Sequence, residues 1–226
     1  MSKHSLFETI LASSVHDMKN SLSLLLNQLE QIALKLEQDE ESRNSISSLR
    51  YETSRINLSM MQLLSLYKFD HNQLSIRRCE VEVQEFLEDC IAAHQQLADM
   101  KSINLEMQCS DELIAFFDPD LIGIAINNVI GNSIRYTTDK VIISAKATEK
   151  GLLIEILDNG QGYPVMMVEN PENYIKRVNK STGSTGLGLF FATIVSKKHQ
   201  KNGRDGYIQL DNNSKLGGGR FQLFVP

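Results

Sequence analysis

Apolar residues recur every three or four positions along the first seventy residues of the chain. One run comprises Leu11, Val15, Met18, Leu22, Leu25, Leu29, Ile32 and Leu36, and a second comprises Ile46, Leu49, Thr53, Ile56, Met60, Leu63 and Tyr67. Steps that average 3.5 residues place these side chains along one side of a helix and are typical of coiled-coil packing. A short polar stretch, residues 37–42, separates the two runs. The pattern therefore predicts two long helices that form an antiparallel hairpin over residues 5–70.

A single hairpin of this kind cannot cover its own apolar stripe. Each large apolar side chain left in water forgoes about 1.5–3 kcal/mol of burial energy. Two hairpins that pair into a four-helix bundle bury both stripes. We therefore expect a homodimer that forms through residues 5–70.

Beyond residue 72 the pattern changes to short, mixed elements. Asp118 and Pro119 favour a helix start, because an acidic N-cap precedes a proline at the first helical position. The expected helices cover residues 83–100, 119–136 and 186–199, and the expected strands cover residues 103–108, 113–117, 141–148, 152–157, 207–210 and 220–225. This order predicts an α/β sandwich. Because residues 71–73 end the second long helix, we divide the chain into domains 1–71 and 72–226.

Composition and charge narrow the possible partners. The chain has 226 residues, a hydrophobic content of 42% and a formal net charge of −5, which gives no reason to expect a nucleic-acid partner. No apolar run approaches the ~18 residues that a membrane span requires. Cys79, Cys90 and Cys109 lack the spacing of a metal site and suit a reducing compartment, so we expect a cytoplasmic protein.

Two asparagines stand four residues apart on the predicted helix 119–136. Asn128 and Asn132 therefore lie on one helix face. An asparagine carbonyl is a suitable oxygen ligand for Mg²⁺, which also binds nucleotide phosphates. Taken alone, the pair also fits a structural contact between the helix and a neighbouring loop.

Two glycine-rich motifs follow this helix. Asp158 ends an apolar strand, where its carboxylate can accept a hydrogen bond from the exocyclic amine of adenine, and Gly160 and Gly162 allow the backbone to approach the base. The second motif opens the helix 186–199, where exposed backbone N–H groups and the helix dipole favour a phosphate; it consists of Thr185, Gly186, Leu187, Gly188 and Leu189. The residues between Gly162 and Gly186 are expected to form a lid over the nucleotide.

The first long helix carries a histidine that is a candidate nucleophile. His16 follows Val15 and so lies about 100° from the apolar stripe, on the outer face of the predicted bundle. Imidazole is mostly neutral at cytosolic pH, and a neutral ring nitrogen can attack a γ-phosphate. A solvated surface histidine is the alternative reading of this position.

In this order, the four motifs resemble the core of a two-component sensor histidine kinase, from about Phe7 to Pro226. The resemblance implies an α+β protein: a dimeric four-helix bundle followed by a Bergerat-type ATP-binding domain. It further implies ATP and Mg²⁺ as cofactors and autophosphorylation of His16. The phosphoryl group then passes to an aspartate on the receiver domain of a response regulator.

The resemblance also assigns roles to individual residues. Asn132 coordinates the magnesium ion, Arg135 contacts phosphate, and Tyr136 lines the adenine pocket. Asp17 takes the place of the family's acidic residue, usually glutamate, and holds the other ring nitrogen of the histidine. Asn20 matches the residue that positions water for dephosphorylation of the regulator, which implies a second activity as its phosphatase.

Two other functions compete with this interpretation of the sequence. ATPases of the gyrase, mismatch-repair and chaperone types use a glutamate where this chain has Asn128, and an asparagine cannot act as a base. A non-catalytic phosphotransfer adaptor with an ATP-like domain stays open as the alternative. We expect the input signal to come from a separate sensor protein or from a sensor domain missing in this chain.

Overall fold

The computed structural model describes residues 17–18, 20–29, 31–32, 40–169 and 187–226. The chain divides into two compact units, Met1–Leu74 and Ser75–Pro226. Each unit is described by itself below.

The first unit is helical in the part that the structure describes. Helix α1 comprises the helical residues 17–18, 20–29 and 31–32, and helix α2 comprises Glu40–Asp70. Helix α2 ends where Asn72 takes a left-handed backbone conformation with a φ of 56°. The N–H group of Gln73 then donates to the carbonyl of Lys68 at 2.7 Å, which satisfies a carbonyl of the last turn.

The predicted apolar stripes are only partly covered within this unit. Leu29 on α1 and Ile46 on α2 are buried. Residues spaced seven apart remain exposed on both helices: Met18, Leu25 and Ile32 on α1, and Leu49, Ile56 and Leu63 on α2. Each helix therefore presents an apolar column to its surroundings.

The second unit alternates strands and helices. Its elements are, in order, β1 (Cys79–Glu82), α3 (Val83–Met100), β2 (Asn104–Gln108), β3 (Ile114–Phe117), α4 (Pro119–Tyr136), β4 (Lys140–Thr148), β5 (Gly151–Asp158), α5 (Val165–Glu169), α6 (Leu187–Lys198), β6 (Tyr207–Asp211) and β7 (Arg220–Val225). The elements predicted from the sequence are present within one or two residues. Strand β1 and the short helix α5 were not predicted.

The strands of the second unit form two sheets. The larger sheet has the order β2-β4-β5-β7-β6, in which only β2 and β4 run parallel. Strands β1 and β3 form a separate antiparallel pair. The α/β layer arrangement predicted from the sequence is therefore confirmed for this unit.

The core lies between the larger sheet and helices α3, α4 and α6. Because successive strand residues point to opposite faces, Ile143, Ile154 and Ile156 share the face that meets the helices, and all three are buried. Phe86 adds an edge-on contact to Phe117, with 5.1 Å between the ring centroids. The opposite face carries polar and charged residues beside three buried apolar side chains, Ile142, Leu157 and Phe224.

A buried polar cluster joins the start of α4 to the end of α6. The Asp118 carboxylate accepts the N–H of Leu121 at 3.0 Å, which is the predicted helix cap, and that of Arg77 at 2.8 Å. The backbone N–H of Asp118 donates to Nε2 of His199 at 3.0 Å, and Nδ1 of His199 lies 2.7 Å from the carbonyl of Val195. His199 therefore accepts at one ring nitrogen and donates at the other, as a neutral imidazole does.

Candidate nucleotide-binding site

Helix α4 places the two predicted asparagines on one face. Nδ2 of Asn132 donates a hydrogen bond to Oδ1 of Asn128 at 3.1 Å. That bond uses the nitrogen of Asn132, and its carbonyl oxygen makes no hydrogen bond to any residue that the structure describes. The oxygen is therefore available to a cation.

Helix α6 begins against this pair. A Cβ atom on Gly188 would overlap the side chain of Asn128, so only glycine permits this approach. Gly188 and Leu189 are buried, while Leu187 is half-buried. The contact brings Leu187, Gly188 and Leu189 of the second glycine motif next to the asparagine helix.

Asp158 lies at the end of β5 with its side chain largely enclosed. The residue is 7% exposed. Its Oδ1 atom accepts two backbone N–H groups, from Gly160 at 2.9 Å and from Gly219 at 3.1 Å. Oδ2 makes no hydrogen bond to any described residue. The two bonds fix the carboxylate and leave one oxygen to accept from a ligand.

The turn after Asp158 is held by residues from a distant loop. Gly162 has a φ of 76°, a left-handed conformation that favours glycine. Oδ1 of Asn212 accepts the N–H of Tyr163 at 2.7 Å, and Nδ2 of Asn212 donates to the carbonyl of Tyr163 at 2.9 Å. Burial and the charges of Asp158 and Asp211 raise the pKa of Tyr163, so its phenol stays protonated.

The loop between β6 and β7, residues 212–219, supplies residues that sequence reasoning missed. The hydroxyl of Ser214 donates to the carbonyl of Asp158 at 3.0 Å. A Cβ atom on Gly218 would lie 2.6 Å from Oδ1 of Asp158, and one on Gly219 would lie 3.0 Å from Oδ2. The three consecutive glycines that precede β7 are the signal that would have found this contact.

Asn159 supports the other side of the same turn. Its Oδ1 atom accepts from the hydroxyl of Thr137 at 2.7 Å and from the N–H of Lys140 at 3.1 Å. A Cβ atom on Gly160 would meet the carbonyl of Tyr136, so the turn lies directly against the end of α4. Asp158, Gly160 and Tyr136 are thereby brought together.

Several predicted residues lie elsewhere or beyond the described part of the chain. Arg135 lies in the last turn of α4, and the Tyr136 side chain is 54% exposed. Thr185 and Gly186, with residues 170–184 of the predicted lid, lie outside the described residues. So does His16. Asp17 and Asn20 are exposed helical residues of α1.

The arrangement offers two kinds of chemistry around α4. Near the end of the helix, a fixed carboxylate oxygen can recognise an amine, and in its middle an amide oxygen can bind a cation. Within residues 40–169 and 187–226 and the described parts of α1, no cluster of three or more His, Cys, Asp or Glu side chains suits a metal. A cation here would therefore need oxygen atoms from a bound ligand as well.

Residues 117–226 match the family of histidine kinase-, DNA gyrase B- and HSP90-like ATPases. The matched segment contains α4, β5, α6 and β7. The predicted resemblance to a two-component histidine kinase with a GHKL-type catalytic domain is confirmed by this match together with the relatives that follow.

The chain resembles sensor proteins over nearly its whole length. It is 23% identical over 216 residues to the sensor protein SrrB of Staphylococcus aureus, a match that covers 92% of this chain and 36% of that protein. The chain therefore spans about a third of the length of this curated relative.

Two solved structures share the fold. The histidine kinase AdeS of Acinetobacter baumannii is 19% identical with a TM-score of 0.60, covering 91% of this chain and 95% of that one. Full-length ShkA in complex with AMPPNP is 18% identical with a TM-score of 0.63, covering 96% of this chain and 46% of that one.

The helices and cysteines of the described residues relate to two further predictions from the sequence. None of the described helices combines the length and the apolar character that crossing a bilayer requires. Cys79, Cys90 and Cys109 are free thiols. Burial, together with the charge of Asp89, raises the pKa of Cys90 to about 12, so this thiol stays protonated at neutral pH.

Proposed function

We propose that this chain is the kinase core of a sensor histidine kinase. It binds Mg-ATP in the second unit, transfers the γ-phosphoryl group to His16, and passes it to an aspartate of a response regulator. The observation that carries the proposal is the fixed carboxylate of Asp158. It lies close to glycines from two separate segments, and it has one oxygen left for a ligand.

Asp158 recognises the adenine base in this proposal. Oδ2 accepts a hydrogen bond from the exocyclic amine, and guanine is rejected because it presents a carbonyl oxygen at that position. Gly160 and Gly162 let the backbone approach the ring, and Tyr136 covers it. The site thus selects ATP over GTP through one charge-assisted hydrogen bond.

The phosphates lie between α4 and the start of α6. The carbonyl oxygen of Asn132 binds Mg²⁺, and Asn128 orients Asn132 through their hydrogen bond. Gly186, Leu187, Gly188 and Leu189 present backbone N–H groups to the phosphates at the beginning of α6. Thr185 and Arg135 add a hydroxyl and a cation. These groups neutralise charge on the transferred group rather than reacting with it.

His16 is the nucleophile in the proposed reaction. A neutral ring nitrogen forms a bond to the γ-phosphorus, and the bond to the leaving oxygen of ADP breaks. Asp17 holds the other ring nitrogen and stabilises the positive charge that develops on the imidazole. The phosphoryl group then moves to a receiver aspartate. Asn20, one turn beyond His16, positions water when the core acts as a phosphatase of that regulator.

The first unit also forms the homodimer in this proposal. The exposed columns on α1 and α2 repeat every seven residues, which is the spacing of a helical bundle seam. Residues 5–70 of two chains would bury these columns in a cytoplasmic four-helix bundle. Domains 1–71 and 72–226 then act as the phospho-acceptor and the ATP-binding parts.

The proposal is tested with purified chain, Mg²⁺ and ATP labelled at either the γ- or the α-phosphate. We expect acid-labile, alkali-stable labelling from γ-labelled ATP and none from α-labelled ATP, with loss of labelling when Mg²⁺ is chelated. Addition of a receiver domain should then remove the label from the chain. Labelling that is stable in acid would contradict a phosphohistidine.

Labelling and nucleotide titration together separate the kinase from a non-catalytic adaptor. An adaptor would neither bind ATP nor label with it, but would accept a phosphoryl group from a phosphorylated receiver domain. Calorimetric titration with ATP and GTP distinguishes the two, because the kinase is expected to bind ATP and to reject GTP.

A further inference from the structure

A cavity opens on the face of the larger sheet that points away from the helices. Its volume is about 460 Å³, within the ~300–1,000 Å³ typical of small-molecule sites. It is lined by Ser144, Lys146, Glu155, Asn213, Lys215 and Arg220, among others. On strands β4, β5 and β7 these side chains occupy the face that points away from the helices, opposite to that of Asp158. We call this space the outer-face cavity.

Two of the three cations in the lining are already neutralised. Nζ of Lys146 lies 3.0 Å from Oε2 of Glu155, and Arg220 binds both carboxylate oxygens of Asp211 at 2.6–3.1 Å. Burial alone would raise the pKa of Glu155, but hydrogen bonds from Gln222 and Lys146 lower it overall. Glu155 is therefore ionised at neutral pH, and its charge offsets that of Lys146.

Lys215 is the cation that forms no ion pair with a carboxylate of the cavity lining. Its charge acts on Glu106, but that carboxylate already binds Nζ of Lys140 at 2.7 Å. Among the described residues the ammonium group of Lys215 donates only to Oε1 of Gln108, at 3.3 Å. An ammonium group has three N–H donors, so two remain for a ligand.

The side chains of Ser144 and Asn213 make no hydrogen bond to any described residue. Because Lys140 and Lys215 act on the single carboxylate of Glu106, positive charge stays in excess at this end of the cavity. Together with the two neutral polar groups, this excess favours an anion.

The β6–β7 loop connects this cavity to the candidate nucleotide site. Asn213 and Lys215 line the cavity, and Ser214 between them donates to the carbonyl of Asp158 at 3.0 Å. Gly219, at the end of the same loop, donates to Oδ1 of Asp158. One loop therefore contacts both sites, through alternate residues.

We propose that the outer-face cavity binds a small organic anion through a carboxylate or phosphate group, held by Lys215, Ser144 and Asn213. Because the same loop contacts Asp158, a bound anion also stabilises the loop in the conformation that holds this carboxylate, and thereby strengthens nucleotide binding. This coupling rests on the proposed function, whereas anion binding by itself does not.

The test uses the full chain without nucleotide and at constant ionic strength. Succinate and inorganic phosphate serve as anionic probes, and succinamide is the neutral analogue of succinate. We expect saturable binding of at least one anion by calorimetry and none of succinamide. Equal binding of succinate and succinamide, or no binding of either anion in the millimolar range, would overturn the proposal.

Two substitutions locate the binding. Lys215→Gln removes one cation from the lining, and we expect it to weaken anion binding about tenfold or more. Lys150→Gln is the matched control, since Lys150 is exposed on the β4–β5 turn and does not line the cavity. Ser144→Leu fills the cavity and should also abolish binding. Equal affinities for Lys215→Gln and Lys150→Gln would place the anion elsewhere and refute the assignment.

The coupling is measured by titrating ADP with and without saturating anion. We expect ADP affinity to rise about fivefold or more, and the rise to be absent in Lys215→Gln. Unchanged ADP affinity would refute the coupling. Anion binding in a chain that binds no ADP at all would instead refute the proposed nucleotide site, so the two failures are distinguishable.

Discussion

Asp158 connects three stretches of the second unit at the scale of a single residue. Its Oδ1 atom accepts from Gly160, two residues away, and from Gly219, 61 residues away, while its carbonyl accepts from Ser214. Two backbone donors hold the carboxylate in one orientation. The remaining oxygen is therefore the group that recognises the base in the proposed function.

Asp158→Asn tests this role with almost no change in size. If the amide keeps its oxygen toward Gly160 and Gly219, its NH₂ group faces the exocyclic amine and the two donors oppose each other. We expect ATP affinity to fall by about 10- to 100-fold, the usual cost of losing a charge-assisted hydrogen bond. Asp205→Asn, in an exposed loop, is the control. Equal ATP affinities of the two variants, measured by calorimetry, would refute the role of Asp158.

Gly218→Ala tests the close approach of the β6–β7 loop. The added Cβ atom would lie 2.6 Å from both the carbonyl oxygen and Oδ1 of Asp158, and neither can move without loss of its hydrogen bonds. We expect nucleotide binding to be lost or strongly weakened. Gly123→Ala is the matched control, because its Cβ would meet only Phe86 at an ordinary 3.6 Å. Wild-type nucleotide affinity in Gly218→Ala would contradict this account.

The sequence indicates candidate site residues only where a motif is local. Asp158, Gly160 and Gly162 are close in the chain, and so are Asn128 and Asn132, so the spacing itself indicates a site. Gly218 and Ser214 act on Asp158 from more than fifty residues away. The three consecutive glycines 217–219 mark an unusual loop, but their spacing alone does not indicate which distant segment the loop contacts.

At the scale of elements, the boundaries follow from strong local signals. Asp118 and Pro119 set the start of α4, and the apolar pattern carries it to Tyr136, as predicted. Strand β1 has only four residues, of which three are exposed, and it pairs with β3 far along the chain. Its existence depends on that pairing rather than on its own sequence, so it escaped prediction.

His199, at the junction of α4 and α6, makes the stability of the second unit depend on pH. Burial lowers its pKa, as does the nearby charge of Arg78. The unfolded chain therefore binds a proton that the folded chain resists, and stability falls as the pH drops below the ordinary imidazole pKa of about 6.5. Protonation would also place a hydrogen on Nε2, which accepts the N–H of Asp118.

We expect His199→Gln to flatten this dependence between neutral and mildly acidic pH, as measured by chemical denaturation. Burial also lowers the pKa of His94. His94→Gln is therefore a parallel variant, and it should independently reduce the change of unfolding free energy with pH. The comparison uses the slope of unfolding free energy against pH, which can flatten even in a variant that is less stable at every pH. An unchanged slope in His199→Gln would mean that this histidine is not the sensitive group.

At the scale of the whole molecule, the proposed function needs two copies of the first unit. Leu49, Ile56 and Leu63 are 55%, 50% and 52% exposed, which leaves a continuous apolar column on α2. Such a column costs burial energy unless another surface covers it. The periodicity of the sequence predicted the apolar stripe. It could not indicate which surface covers the stripe, because in the proposed function that surface belongs to a second chain.

Ile56→Lys tests the predicted dimer. A lysine in the middle of the column would place a charge in the seam, so we expect the variant to be monomeric by light scattering while the wild type is dimeric at micromolar concentration. Ser54→Lys adds the same side chain at an exposed polar position of α2 and should remain dimeric. A monomeric wild type would contradict the dimer.

Labelling with γ-labelled ATP, compared between the wild type and His16→Ala, tests the central claim most directly. His4→Ala is the control, because it removes a different histidine from the same segment. The account predicts an acid-labile label on the wild type and on His4→Ala, and none on His16→Ala, with ATP affinity unchanged in all three. Labelling of His16→Ala at the wild-type level would contradict the assignment of His16 as the phospho-acceptor.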